Sequence, residues 1–235
     1  MTSTRLPGKV LKEVLGKPLL EYEIERLQQC RSLNKIVVAT TVLPSDDVVV
    51  ALCERLSVNV FRGSEEDVLS RYAQAATLHH ADVVVRVTAD CPLIDPTVVD
   101  LVVQTYLETA AQYDYVSNTL ERTYPRGLDV EVFSAKALQL AQVNSVNAEE
   151  REHVTVYIYR RPQEFSIYQV TQERDNSNQR WTVDTQEDFQ LVEQIIQALY
   201  PDNRQFSMQD VLGFLRENPQ LMALNAHIEQ KEVKR

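Results

Sequence analysis

Short runs of β-branched residues, each followed by a longer stretch with helical spacing, leave this chain few ways to fold. KIVVATT at 35–41, VNVF at 58–61 and DVVVRVT at 82–88 read as buried strands. A helix signal follows the first near Ser45, Asp46 and Asp47, with Ser45 as candidate N-cap. After the second, Arg62 and Gly63 end the strand, and Ser64, Glu65, Glu66 and Asp67 cap a helix expected to reach about residue 79. After the third, Asp95 reads as an N-cap and Pro96 as the first residue of a helix over 96–111. Strand, helix, strand, helix, strand is the rhythm of parallel strands joined by crossover helices, so the expected class is α/β.

The second half is less regular. YDYVSN, LDVEVFS and FSIYQVT read as strands, with helices over 135–142 and 148–159. WTVD at 181–184 reads as a short strand feeding a helix over 186–200, and 209–217 and 219–230 read as two closing helices. The expected organisation is one domain over 1–200 with a C-terminal helical extension, 201–235, packed on it. A length of 235 residues with 44% hydrophobic content suits that arrangement.

The net charge of -10 argues against a general nucleic-acid binder, which needs a basic face against phosphates. A local exception sits at the N-terminus, where Arg5, Lys9, Lys12 and Lys17 meet only Glu13. Cys30, Cys53 and Cys91 are odd in number and have no metal-type spacing, which points to reduced thiols. No apolar run is long enough to span a membrane, and no signal-peptide pattern opens the chain, so a cytoplasmic location is expected.

Ligands of open α/β sheets gather outside the carboxyl ends of the strands. Four loops fit that rule. In STRLPGK, Arg5 and Lys9 flank the Pro7-Gly8 turn and Ser3 and Thr4 precede it, a loop suited to an anion or else a solvated basic arm. It is not a P-loop, because Ser3 stands where the first glycine is required. In TADCPLIDP, Asp90 directly follows a strand, as a magnesium ligand or a turn aspartate would. Asp184 in WTVDTQEDF is placed alike, with the same alternative. Asp129 and Glu131 lie two apart on one strand face, for sugar hydroxyls or as a solvated edge. His153, among charges on an expected helix, is read as structural. Gly8, Gly63 and Gly127 mark loops where the backbone turns or lets a ligand approach.

Taken in order, MTSTRLPGKVL, VVATT, VFRGSEEDVLSRY, VRVTADCPLIDP, YVSNT, RTYPRGLDVEVFS, EREHVTVYI and RWTVDTQEDF resemble the cytidylyltransferase family. This is the group of spore-coat polysaccharide biosynthesis proteins related to the acylneuraminate and 3-deoxy-manno-octulosonate cytidylyltransferases. The resemblance implies a nucleotide-diphosphosugar transferase fold, a Rossmann-like three-layer sandwich around a mixed, mainly parallel sheet. It implies coupling of CTP to a sugar acid, giving a CMP-sugar and pyrophosphate, with Mg2+ as cofactor and a homodimer as assembly. It gives Arg5 and Lys9 the triphosphate, Ser3, Thr4, Ser64 and Asp90 contacts to the nucleotide, and Asp90 and Asp184 the metal. Arg126, Asp129 and Glu131 fall to the sugar.

The resemblance also implies a strand reading like IIQAR ahead of Met1. Ala89 stands where the family usually has glycine, and Gln186 where it has proline. Two other readings stay open at this level. One is a glycosyltransferase that consumes a nucleotide-sugar on the same fold, against which the absence of an Asp-x-Asp at Asp90-Cys91-Pro92 weighs. The other is a non-catalytic remnant.

Overall fold

A two-residue hairpin, β1 (Glu13–Val14) and β2 (Lys17–Pro18), follows the N-terminal loop in the computed structural model, which describes Ser3 and residues 5–230. Leu15 and Gly16 form its turn with positive φ at both positions. Helix α1 (Leu19–Leu27) comes next, an element the strand-centred reading of the sequence had not assigned. Its Leu20 and Ile24 pack on Val49, Leu52 and Cys53, while Leu19, Tyr22 and Leu27 join the main core.

Strand β3 (Val37–Thr41), helix α2 (Asp47–Arg55), strand β4 (Asn59–Gly63), helix α3 (Val68–Leu78), strand β5 (Val83–Arg86) and helix α4 (Pro96–Thr109) supply the expected alternation. Ser45 falls in a 3-10 turn, and Asp46 is the residue that precedes α2. Buried Asp46 accepts from the hydroxyls of Thr40 and Thr41 and from the Thr41 N–H, which fixes the end of β3. Asp67 caps α3 and Asp95 caps α4.

The remaining elements are β6 (Tyr115–Ser117), β7 (Glu131–Ser134), α5 (Ala135–Asn144), α6 (Ala148–Glu152), α7 (Val156–Tyr159), β8 (Ile167–Gln169), α8 (Gln186–Leu199) and α9 (Met208–Glu217). Three sequence-based expectations change here. The single helix over 148–159 breaks into α6 and α7 because Val154 takes a positive φ of 54°. WTVD is extended but makes no ladder; only Arg180 bridges to Arg126. The closing stretch 219–230 forms a 3-10 turn over Pro219–Ala223 and no further helix.

The sheet is mixed. Strands β3 and β4 pair in parallel, and a second set runs in the order β5-β7-β6-β8. Strand β7 is antiparallel to both neighbours and β8 is parallel to β6, so β5, β6 and β8 share one direction. Helices cover both faces, giving the Rossmann-like α/β layering. Val83 and Val85 of β5 face the layer that holds α1, α4 and α8, while Val84 faces the layer of α3 and α5. Phe206, Met208, Val211 and Leu215 bring the segment after α8 into the main core. Among the described residues no helix is long and apolar enough to cross a membrane.

Among the described residues no strand joins β3 to β5. Helix α1 packs on Val38 and also shares the main core with Val83 and Val85. Helix α3 meets β3 and β4, and its Tyr72 hydroxyl donates to the Val87 carbonyl after β5. The two sheet fragments thus lie between the same helical layers, and among the described residues β3 pairs only with β4 and β5 only with β7. Every residue of β3 and β5 is partly exposed, whereas β6, paired on both edges, is fully buried. Central strands of a covered parallel sheet are normally buried.

A five-residue apolar extension fused ahead of Met1, able to lie between these edges, is expected to raise Tm. Burying four or five apolar side chains at about 1.5–3 kcal/mol each outweighs ordering at about 1–2 kcal/mol per residue by a few kcal/mol. That corresponds to a rise of about 5–10 °C. Calorimetry of the fused and unfused chains checks it, and a polar extension of equal length serves as control.

Candidate active site

The N-terminal loop is shaped by its own turn. Gly8 holds φ at 67° before a 3-10 turn over Lys9–Leu11, and Ser3 Oγ accepts from the Leu6 N–H at 3.4 Å. Leu6, Val10 and Leu11 pack inward, which leaves Arg5 and Lys9 to reach across the molecule.

Lys9 Nζ lies 2.7 Å from Asp90 Oδ2 and 2.7 Å from Asp184 Oδ1. Arg5 reaches Asp184 Oδ2 at 2.8 Å. The four groups singled out in the sequence therefore meet at one place, although Asp90 and Asp184 lie 81 and 175 residues from Lys9. Asp90 is held by Thr88 Oγ1, which donates to its Oδ1 at 2.7 Å. The Asp90 carbonyl accepts from the Val183 N–H at 2.8 Å, so the two acid-bearing loops are tied through their backbones. Asp184 precedes Thr185, which forms a reciprocal capping box with Asp188 at the start of α8.

Burial alone would lower the pKa of Lys9, but the facing charges of Asp90 and Asp184 outweigh it and raise the value above 10.5. Burial likewise would raise Asp184, yet hydrogen bonding and charge from Lys9, Arg5 and Arg180 leave it below 3.8. The sign of the linkage follows. The stability that this pair contributes is complete between about pH 4 and 10, is lost below as Asp184 protonates, and is lost above as Lys9 deprotonates. Tm measured against pH for wild type and Lys9→Met should differ in that window and converge as the pH falls through the lowered Asp184 value.

Two acids that both bond to one ammonium also suit a divalent cation. They offer hard oxygen donors converging on a single cationic point, with phosphate oxygens and water to complete the coordination. Among the described residues no cluster of three or more metal-ligating side chains forms.

Other sequence candidates fall elsewhere. Thr4 lies outside the described residues. Ser64 is exposed after β4, and its hydroxyl accepts from the Asp67 N–H at 3.1 Å. Asp129 is paired with Arg122 through two bonds of 2.5 and 3.0 Å and is partly exposed. Glu131 lies in the interior at 6% exposure. One of its oxygens pairs with Arg86, and the other accepts from the hydroxyls of Tyr115 and Thr155, each at 2.6 Å.

Arg126 borders a cavity of about 770 Å³ together with Arg180, Gln179, Asn225 and Gln230. Gly127 follows it with φ of 101°, and a Cβ there would stand 2.8 Å from the backbone of Trp181 and Thr182, so only glycine lets the two segments close. Asp95 is structural, accepting from the N–H groups of Thr97 and Met208 at 2.8 and 2.5 Å. His153 stands at the C-terminal end of α6, where its backbone N–H bonds the Glu149 carbonyl.

Sequence reasoning missed Arg180 and Glu23. Arg180 bonds Asp184 at 2.8 Å, a contact legible only as an arginine four residues ahead of the acid. Glu23 on α1 accepts from the Cys91 N–H at 3.3 Å beneath the Asp90 turn, and burial pushes its carboxyl well above the usual range. Nothing in its sequence setting marked it.

A basic loop facing two acids that follow extended segments of a mixed sheet defines a Rossmann-like α/β protein built to hold an anionic ligand. The sequence model of the cytidylyltransferase family matches residues 1–229. The chain belongs to that family. It is 36% identical over 234 residues to the uncharacterized protein MJ1063 of Methanocaldococcus jannaschii, covering 99% of this chain and 93% of that one. It is 32% identical to the spore coat polysaccharide biosynthesis protein SpsF of Bacillus subtilis, covering 93% of this chain and 92% of that one. Among solved structures, a cytidylyltransferase from Leptospira borgpetersenii matches with a TM-score of 0.90 at 32% identity, covering 100% of this chain and 95% of the other. Membership of this family makes the chain a nucleotidyltransferase.

Proposed function

We propose that this protein couples CTP to a sugar acid, forming a CMP-sugar and pyrophosphate, with Mg2+ at the Asp90–Asp184 pair. The convergence of Arg5, Lys9, Asp90 and Asp184 carries the reading. Relatives of different identity support it: 3-deoxy-manno-octulosonate cytidylyltransferase of Chlamydia trachomatis is 36% identical over 131 residues, 54% of this chain and 49% of that one. Likeness to SpsF, a spore coat polysaccharide biosynthesis protein, supports a surface polysaccharide as the use of the product.

A hydroxyl oxygen of the sugar acid attacks the α-phosphorus of CTP in line. The new oxygen–phosphorus bond forms as the bond to the β-phosphate breaks, the hydroxyl proton passes to solvent, and pyrophosphate departs. The protein's part is positioning and charge neutralisation. Lys9 and Arg5, on a loop of long side chains, transfer from the acids to the triphosphate and stabilise charge on the leaving group. Asp90 and Asp184 would hold the divalent ion, which would supply positive charge against the phosphates. Ser3 and Ser64 contact the nucleotide. Arg126 takes the sugar carboxylate and Asp129 its hydroxyls, with Glu131 as the buried anchor of the strand that follows Asp129.

A pyrophosphate-release screen with CTP, Mg2+ and a panel of sugar acids tests the reading. Stoichiometric pyrophosphate with one acid is the expected result. Release of CMP from a supplied CMP-sugar, with no pyrophosphate from CTP, would move the protein to the glycosyltransferases.

A further inference from the structure

Arg180 is 8% exposed, and each nitrogen of its guanidinium donates a hydrogen bond. Nε donates to Asp188 Oδ1 at 2.9 Å, and one terminal nitrogen donates to Asp184 Oδ2 at 2.8 Å and Asp188 Oδ2 at 3.1 Å. The other terminal nitrogen donates to Gln230 Oε1. Asp188 has no exposed surface and accepts from the N–H groups of Asp184 and Thr185 at 3.0 and 3.1 Å. Asn225 Nδ2 closes the circuit, donating to Asp188 Oδ1 and to the Arg180 carbonyl, each at 2.9 Å.

The two oxygens of Asp184 therefore have different neighbours. Oδ2 is held by Arg180 and Arg5, while Oδ1 points with Asp90 at Lys9. Arg5 sits on the N-terminal loop and pairs with Asp184 from there. Arg180 is locked by a buried carboxylate and by two residues from the C-terminal segment. It is the group that can keep the Asp184 rotamer fixed when Arg5 and Lys9 turn to a ligand. A planar fork spanning Asp184 and Asp188 is a task for arginine; lysine offers one point charge.

We propose that Arg180 is a positioning residue that presents Asp184 Oδ1 to the metal-bound triphosphate, and that Asn225 and Gln230 hold it there, so the C-terminal segment sets metal affinity at the rim. This rests on the cytidylyltransferase reading above. A purely structural staple of α8 would change Tm and leave metal dependence alone, which separates the two roles.

The test titrates Mn2+, followed by electron paramagnetic resonance, into the full chain with CTP present. It also measures pyrophosphate release against Mg2+ concentration. Gln230→Ala and Asn225→Ala are expected to weaken Mn2+ binding about tenfold and to raise the Mg2+ needed for half-maximal rate by the same factor. Arg180→Lys should cost more, and Gln230→Glu, which keeps the acceptor oxygen, should restore wild-type binding. Gln230→Ala removes a single bond at a half-buried position, so it remains readable where Arg180 variants fail to fold. Variants that bind Mn2+ and CTP as wild type does overturn the proposal, whether Tm falls or not. Wild type that binds no Mn2+ with CTP overturns the functional reading itself, and this inference with it.

Discussion

Asp90→Asn is expected to lower magnesium-dependent pyrophosphate release about 10²–10³-fold while leaving the fold intact. The substitution keeps the side-chain volume and an oxygen for the Thr88 hydroxyl, which now donates at 2.7 Å. It removes one of two negative charges that converge on Lys9 Nζ. A preorganised electrostatic group aimed at developing charge contributes on that scale in a water-poor site. Part of the Lys9 pairing survives through Asp184, so Tm should move little, within the usual range for a partly exposed ion pair. Initial rates at saturating CTP, with Tm on the same preparations, decide the matter. A rate within a few-fold of wild type would take the metal away from Asp90.

Glu131→Ala should act in the opposite way, through stability. The Arg86–Glu131 pair joins β5 to β7 at directly opposed positions. Burial would lower the Arg86 pKa, but the Glu131 charge outweighs it and raises the value. Removing the carboxylate strands a guanidinium that is largely but not wholly out of water and leaves the Tyr115 and Thr155 hydroxyls without their acceptor. Breaking a buried pair from one side costs about 3–5 kcal/mol, a fall in Tm of about 6–20 °C for a chain of this size. Chemical denaturation and calorimetry measure it. Glu131→Gln keeps one acceptor oxygen but puts an NH2 group where the other stood, and should fall between. If Glu131→Ala kept wild-type Tm and lost only sugar-acid affinity, the side chain would be a substrate contact and its buried network incidental.

The two effects show why some of this site was legible and some was not. Asp90 announced itself locally, as an acid directly after a run of valines, and Asp184 did so as an acid before a capping threonine. Glu131 carried an equally plausible local signal, two residues from Asp129 on an alternating strand. Strand alternation says which residues share a face but not whether that face meets water or core. Register across β5 and β7, which sets Arg86 against Glu131, exists only once the strands pair. Helix α1 was missed for a simpler reason: its apolar positions lie beside charged ones, and no cap residue marks its start, since Pro18 precedes it with no side-chain bond.

The sequence by itself determined the alternation of strands and helices from Val37 to Thr109, the turn at Gly8, a loop at Gly127 and the chemistry available at the ends of the strands. These depend on neighbours within a few residues, where backbone sterics and side-chain periodicity act. Only the tertiary structure decided that one ammonium would bridge acids 81 and 175 residues away, that Glu131 would turn inward, and that Arg180 would tie Asp184 to the C-terminal segment. Such contacts arise when distant loops are delivered to the same rim by packed strands, and no local preference encodes the distance between them.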